Sequence, residues 1–296
     1  MALRTFEATP ALGQRAELGE SPFWDAAADV LWWIDWSGGV VYRSDVVAGT
    51  TASFPVGPDV AAIAPAPGGR IAVALGHGFA ELDPGTGQVR ALALAEPEDT
   101  PTRMCDGKCD AEGRFWAGTM ALDGSSPIGT LFALEPDGEV RRVLEGVTVS
   151  NGLCWSPDDT VFYYVDTATN RIDRFDFDLT AGTITDRRVL VEIAADEGAP
   201  DGLTIDVEGH LWVALWDGGQ VRRYSPDGEL DAVVELPVAR PTCCALGGSD
   251  GRDLFITTAM PDSAAEREAQ PLAGRVFVAR ADVPGAPAHP RRSGHP

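Results

Sequence analysis

"RMCDGKCDAEGRFWAGTM", residues 103–120, reads as a strand, a turn and a second strand. The turn is "DAEG" (110–113), and the run that follows, "RFWAGTM" (114–120), is short, apolar and rich in aromatic residues. The arrangement recurs along the chain. Comparable runs are "VLWWIDW" (30–36), "RIAVALG" (70–76), "VFYYVDT" (161–167), "HLWVALW" (210–216) and "DLFITTA" (253–259). Each follows a turn: "WDAAAD", "APGG", "SPDD", "DVEG" and "GSDG" respectively. With Leu31, Ile71, Phe115, Phe162, Leu211 and Leu254 as markers, the steps are 40, 44, 47, 49 and 43 residues. Six units of that period predict an all-β chain, a six-bladed β-propeller with four-stranded antiparallel blades. Two packed β-sandwiches would explain the strands but not the six-fold recurrence.

The remaining strands form hairpins about Gly or Asp-Gly turns, as in "GTLFALEPDGEVRRVLE" (129–145) and "GQVRRYSPDGELDAVVEL" (219–236). "DSAAEREAQPL" (262–272) has the pattern of one short helix. The sixth unit runs short before "GRVFVAR" (274–280), so the N-terminal "LRTFEAT" (3–9) is expected to supply its outer strand and close the ring. Residues 1–282 then form a single propeller, and 283–296, "VPGAPAHPRRSGHP", a flexible C-terminal tail.

Composition narrows the function. A net charge of -22 and a pI near 4.4 argue against nucleic acid and anionic membrane surfaces as partners. The five cysteines are odd in number and two are adjacent, unlike a secreted disulfide framework. The opening "MALRTFEATPALG" lacks a basic start followed by an apolar run, so no signal peptide is expected. A cytoplasmic location and a small-molecule partner follow as expectations. The oligomeric state is open, and a monomer is compatible with the sequence.

Repeats diverge where function sits. At the equivalent position before each turn stand Glu20, Ala61, Cys105, Asn151, Asp201 and Cys243, spaced by 41, 44, 46, 50 and 42 residues. In a closed ring these converge on the axis. A packed core would show Val, Leu or Ile there, whereas Glu20, Asn151 and Asp201 are hard oxygen donors. One divalent cation is the economical way to hold them together, with water or substrate completing its coordination. The plainer reading makes them strand-end turn formers, since Asn-Gly and Asp-Gly are ordinary turn dipeptides. His77, His210, His289 and His295 show no ligand spacing. Cys154, Cys243 and Cys244 read as small fillers, Lys108 as solvent-facing, and Asp106 as a turn residue rather than a ligand.

"LGESPFWD" (18–25), "DGKCDAEGRFWAGTM" (106–120), "SNGLCWSPD" (150–158) and "PDGLTIDVEGHLWVALWDGG" (200–219) resemble, in order and over nearly the whole chain, the gluconolactonase/regucalcin (senescence marker protein) family. The resemblance implies a six-bladed propeller binding one divalent metal ion (Ca, Zn, Mn, Mg or Fe) through Glu20, Asn151 and Asp201. It implies hydrolysis of a sugar lactone such as gluconolactone, a role in carbohydrate metabolism, with Asp201 as ligand and general base. Arg103 and Asp123 match substrate-contacting positions. Cys105 stands where the family usually has Asn. A thiol is a weak hydrogen-bonding group, so this departure points to a less polar lactone, or to a thiolate joining the metal. A metal-dependent esterase or organophosphate hydrolase, and a calcium-binding propeller without catalysis, are the other functions compatible with the pattern.

Overall fold

The computed structural model describes residues 3–293. Six antiparallel sheets follow one another around a ring. The strands nearest the axis are Gly19–Asp25, Val60–Ala66, Thr102–Cys109, Ser150–Trp155, Ala199–Ile205 and Pro241–Gly247. Each pairs with the strand that carries one of the six apolar runs, so the repeat read from the sequence is the blade. Neighbouring inner strands pack side by side around the axis.

The runs are apolar because both faces of a blade are covered by its neighbours. Trp33, Trp116 and Trp212 are fully buried between sheets. Asp110 and Asp206 lock the turns "DAEG" and "DVEG" to the runs that follow. Each carboxylate accepts from a Trp Nε1 six residues on, Trp116 at 2.9 Å and Trp212 at 3.0 Å. Each also accepts from a backbone N–H four residues on and from an arginine, Arg114 or Arg223. Two fully buried carboxylates are thus satisfied by donors from their own blades. The expected helix is present at Ala264–Ala269, capped by Ser263 and Glu266 in a reciprocal box.

Ring closure differs from the expectation. The outer strand of the sixth blade is Thr9–Arg15, paired antiparallel with Arg275–Arg280. Most of "LRTFEAT" lies one blade earlier, where Arg4–Glu7 adds a fifth, parallel strand to Leu230–Glu235. Pro10 suits the edge position, because an outer strand does not need its missing N–H. The seam between blades six and one is sealed by Trp24 stacked on Phe255, with ring centroids 5.2 Å apart.

The C-terminal segment, expected to be a flexible tail, makes backbone hydrogen bonds to the propeller in the structure. Residues 284–292 cross the end of the propeller opposite the Glu20–Asp201 level. Pro284 O accepts from Val207 N, and Gly285 N donates to Gly251 O. Ala286, Arg291 and Arg292 donate backbone bonds to Ile205, Pro65 and Gly113. The segment therefore straps four blades together, and Ala288 and His289 cap the channel. Residues 294–296 lie outside the described residues. No described helix is long and apolar enough to cross a membrane.

Removal of residues 283–296 is expected to lower the thermal midpoint by about 2–8 °C, given ~2–4 °C per kcal/mol in a domain of this size. It should also speed maleimide labelling of Cys109, which lies beneath the strap. An unchanged midpoint with an unchanged labelling rate would show that the tail is not docked in solution.

Candidate functional site

All six inner strands slip register near the expected axial position. The pairing skips between Glu20 and Phe23, Val60 and Ala62, Met104 and Gly107, Ser150 and Leu153, Pro200 and Leu203, and Pro241 and Cys243. These are β-bulges, which re-aim side chains out of the ladder. Five of the six expected residues, Glu20, Ala61, Cys105, Asn151 and Asp201, line one cavity of about 300 Å³. Cys243 does not, because the sixth bulge falls one residue earlier, at Thr242. Cys243 instead faces a chamber of about 30 Å³ farther along the channel.

The bulges decide against the turn-former reading. Asn151-Gly152 and Asp201-Gly202 lie inside strands. Their glycines are required by close approach of the next blade. A Cβ on Gly152 would sit 2.6 Å from Asp201 O, and one on Gly202 would sit 2.3 Å from Cys243 Sγ.

Each oxygen donor is held from outside the cavity. Ser21 adopts a left-handed backbone (φ +46°), and its Oγ accepts from Ile63 N of the next blade at 2.9 Å. That conformation, uncommon for a non-glycine residue, places Glu20, whose carboxylate accepts from Ser21 N at 2.9 Å. Asn151 Nδ2 donates to Thr167 Oγ1 at 2.8 Å, and Thr167 Oγ1 donates on to Pro200 O at 2.8 Å. That bond orients the amide, with Nδ2 toward Thr167 and Oδ1 left as the free acceptor. Asp35 and Asp166 grip the loops ahead of these strands, accepting from Leu18 N and Val149 N at 3.2 and 3.0 Å.

Asp106 is a correction. It lines the same cavity and is 5 % exposed. Its bulge is two residues wide, so the alternation that would turn it away from Cys105 does not operate. Burial, then Asp201 and Asp106, push the Glu20 carboxyl well above its usual range. Burial and Asp106 do the same to Asp201. Burial raises Asp106 too, against the opposing pull of Lys108. Lys108 does not face solvent: its Nζ donates to Leu203 O at 2.9 Å and it lines the lower chamber. Burial, then Asp106, Asp201 and Glu20, push the Cys105 thiol well above its usual range.

Arg103 also lines the cavity. Its guanidinium lies 3.8 Å above the Trp36 ring, approaches Asp59 at 3.7 Å, and leaves Nε without a partner. Asp123 is not brought to the cavity. It is exposed and caps its own turn, accepting from Ser125 N, Ser126 N and Ser126 Oγ, which pulls it down to about 2.

The walls were not anticipated, yet the repeat marks them. Trp36, Met120, Thr167 and Trp216 are the last residues of four of the six apolar runs. Leu18, Arg103 and Val149 each stand two residues before an axial position. A second group, Asp206, Glu208 and His210, brings three potential ligand atoms within 4.8 Å of one another. It is already filled, since Arg223 donates to Asp206 at 2.8 Å and to Glu208 at 2.9 Å.

Residues 18–260 match the family model described as "SMP-30/Gluconolactonase/LRE-like region". The chain belongs to this family. It is 37% identical over 286 residues to regucalcin of Gallus gallus, covering 93% of this chain and 95% of that protein. Among solved structures it is similar to a calcium-binding regucalcin of Agrobacterium tumefaciens, at TM-score 0.92 and 28% identity, with 98% and 99% of the two chains covered. It is also similar to a luciferin-regenerating enzyme, at TM-score 0.90 and 29% identity, with 97% and 99% covered.

The raised carboxyl groups give a pH dependence. A carboxyl whose folded pKa lies above its unfolded value contributes stability below the ordinary carboxylate range and loses it as pH rises through the folded value. Protein stripped of divalent ions is therefore expected to melt progressively lower as pH rises above about 4. Glu20→Gln should flatten that decline and raise the midpoint at neutral pH by about 2 °C or more. Glu98→Gln, an exposed change of equal charge, should not. Identical pH profiles for the two variants would contradict the assignment.

Proposed function

We propose that the protein is a divalent-metal-dependent hydrolase that opens small lactones. The observation that carries the proposal is the convergence of Glu20, Asn151 and Asp201 in one cavity, with Arg103 beside it. The residues fit a hard cation. Two buried carboxylates and a free amide oxygen face one space, and each carboxylate is pushed upward by burial and like charge. Glu20, Asn151 and Asp201 would hold the ion, leaving room for water and substrate. A bound divalent ion supplies Lewis acidity toward a carbonyl oxygen and lowers the pKa of water.

The chain's own groups account for the proton movements. Asp201 receives the proton of the attacking water as oxygen adds to the acyl carbon. A carboxylate that holds the ion through one oxygen can accept a proton on the other. On collapse the ring C–O bond breaks, the proton passes to the departing alkoxide, and a hydroxy acid is released. Arg103, flat against Trp36 with Nε unpaired, donates to a substrate oxygen as the fixed fork of a guanidinium allows.

Family membership supports the reading, since the family's description includes gluconolactonases. A second reading, calcium binding without turnover, is favoured by the similarity to a structure described as a calcium-binding regucalcin. Five free cysteines and the acidic surface suit the cytoplasm.

Purified protein assayed by pH-stat against sugar lactones, aliphatic lactones and aryl esters, with one divalent ion supplied at a time, separates these functions. Asp201→Ala is expected to reduce lactone turnover about 10²–10⁴-fold. Asp201→Asn, which keeps an oxygen ligand, should bind metal and still lose turnover. Full metal-dependent turnover by Asp201→Ala would refute the mechanism. Metal binding by the wild-type chain with no turnover of any substrate would favour the calcium-binding reading.

A further inference from the structure

We infer that the cavity selects a lactone with an apolar body, an alkyl- or aryl-substituted ring, over a polyhydroxylated one. The inference rests on the lactonase reading for the reaction and on the cavity alone for the preference.

The cavity has a polar floor and apolar walls. Asp106, Asn151 and Asp201 lie on the bulges of the inner strands, and Glu20 stands immediately before one. Above them stand Leu18, Trp36, Met120, Val149 and Trp216. A polyol lactone brings about four hydroxyls, each a donor and an acceptor, and burying one without a partner costs about 1–3 kcal/mol. Few partners are free. Thr167 gives its proton to Pro200 O and accepts from Asn151. Asn151 Nδ2 spends one of its two hydrogens on that same bond, and one Asp106 oxygen already accepts from Gly107 N at 2.7 Å. Cys105 offers a thiol, a weak donor and acceptor. Arg103 remains, and one of its faces is spent on Trp36. With Glu20, Asp201 and the Asn151 oxygen given to the cation, one guanidinium edge, one amide hydrogen and the rest of the Asp106 carboxylate are too few partners for a ring of hydroxyls. Two indoles, a thioether and two aliphatic side chains can cover hydrocarbon. At about 300 Å³ the space lies at the small end of ligand cavities, suited to one ring with a short chain.

The experiment compares kcat/KM for γ-butyrolactone, γ-hexalactone, γ-octalactone and D-glucono-1,5-lactone with the metal-loaded enzyme. Binding of matched lactams, 5-butylpyrrolidin-2-one and D-gluconolactam, is measured in parallel by calorimetry. The aliphatic series is expected to rise about fourfold per added CH2 until the chain outgrows the cavity, and γ-octalactone to exceed the sugar lactone at least tenfold. The butyl lactam should bind more tightly than the sugar lactam. Cys105→Asn, which adds a strong donor and acceptor, should narrow both gaps two- to tenfold, by about the worth of one hydrogen bond. Tighter binding of the sugar lactam, or a flat aliphatic series with a preferred sugar lactone, would overturn the inference. Tighter binding of the butyl lactam without turnover of any lactone would uphold the preference and remove the lactonase reading.

Discussion

Three carboxylates share one cavity near the axis of the ring, and among the described residues none of the three forms an ion pair; Arg103, the guanidinium in the cavity, turns to Asp59 instead. Glu20 and Asp201 accept bonds from backbone N–H groups, and the chain's one lysine, Lys108, lies on the side of the lower chamber. Each unit of pKa displacement in such a group represents about 1.4 kcal/mol, so the arrangement is held against its own repulsion. The holding is distributed. Ser21 is strained but tied to the next blade, Gly152 and Gly202 let adjacent inner strands approach, and Asp35 and Asp166 pin the loops above. A ring closed by Thr9–Arg15 and strapped by the tail cannot relax by spreading. A cation at the floor would turn this cost into affinity, because the ligands are already assembled.

The blade is the unit of both stability and chemistry. Along one repeat, the run buried between sheets supplies packing and its last residue supplies a wall. The bulge on the preceding strand supplies the floor. In blade four these are Tyr164, Thr167 and Asn151, and a hydrogen bond couples the last two. Blade one places Trp36 above Glu20, and blade three places Arg103 against that same Trp36. Walls from different blades therefore complete one another, and a polar floor lies beneath an apolar rim.

Much of this was legible in the sequence, because a repeat fixes equivalent positions without knowledge of the ladder. The marker spacing yielded the six blades, and the offset from each turn yielded five of the six axial residues. What failed did so where local geometry breaks the two-residue alternation of a strand. Asp106 read as a turn residue rather than a ligand, but a bulge two residues wide brings it into the cavity beside Cys105. Lys108 read as solvated because no spacing reports a channel that continues past the floor. Cys243 was misplaced by a one-residue difference in where its bulge begins. "LRTFEAT" read as the outer strand of the sixth blade because it and Thr9–Arg15 are both short extended segments that fit an edge, and the latter takes that place. Asp123 matched a family position, yet its following serines form the turn it caps. The tail, rich in Pro and Gly, gave no sign of the strand ends waiting to bond it.

The central claim is that the buried oxygen donors of the channel exist to hold one divalent cation. Calorimetric titration of chelator-stripped protein with Ca, Mn, Mg and Zn salts tests it most directly, with Asp201→Ala as the matched variant. The account predicts saturable binding of one ion per chain for at least one metal, accompanied by a rise in thermal midpoint, and loss of both in the variant. Absence of binding by every ion, or equal binding by Asp201→Ala, would contradict it.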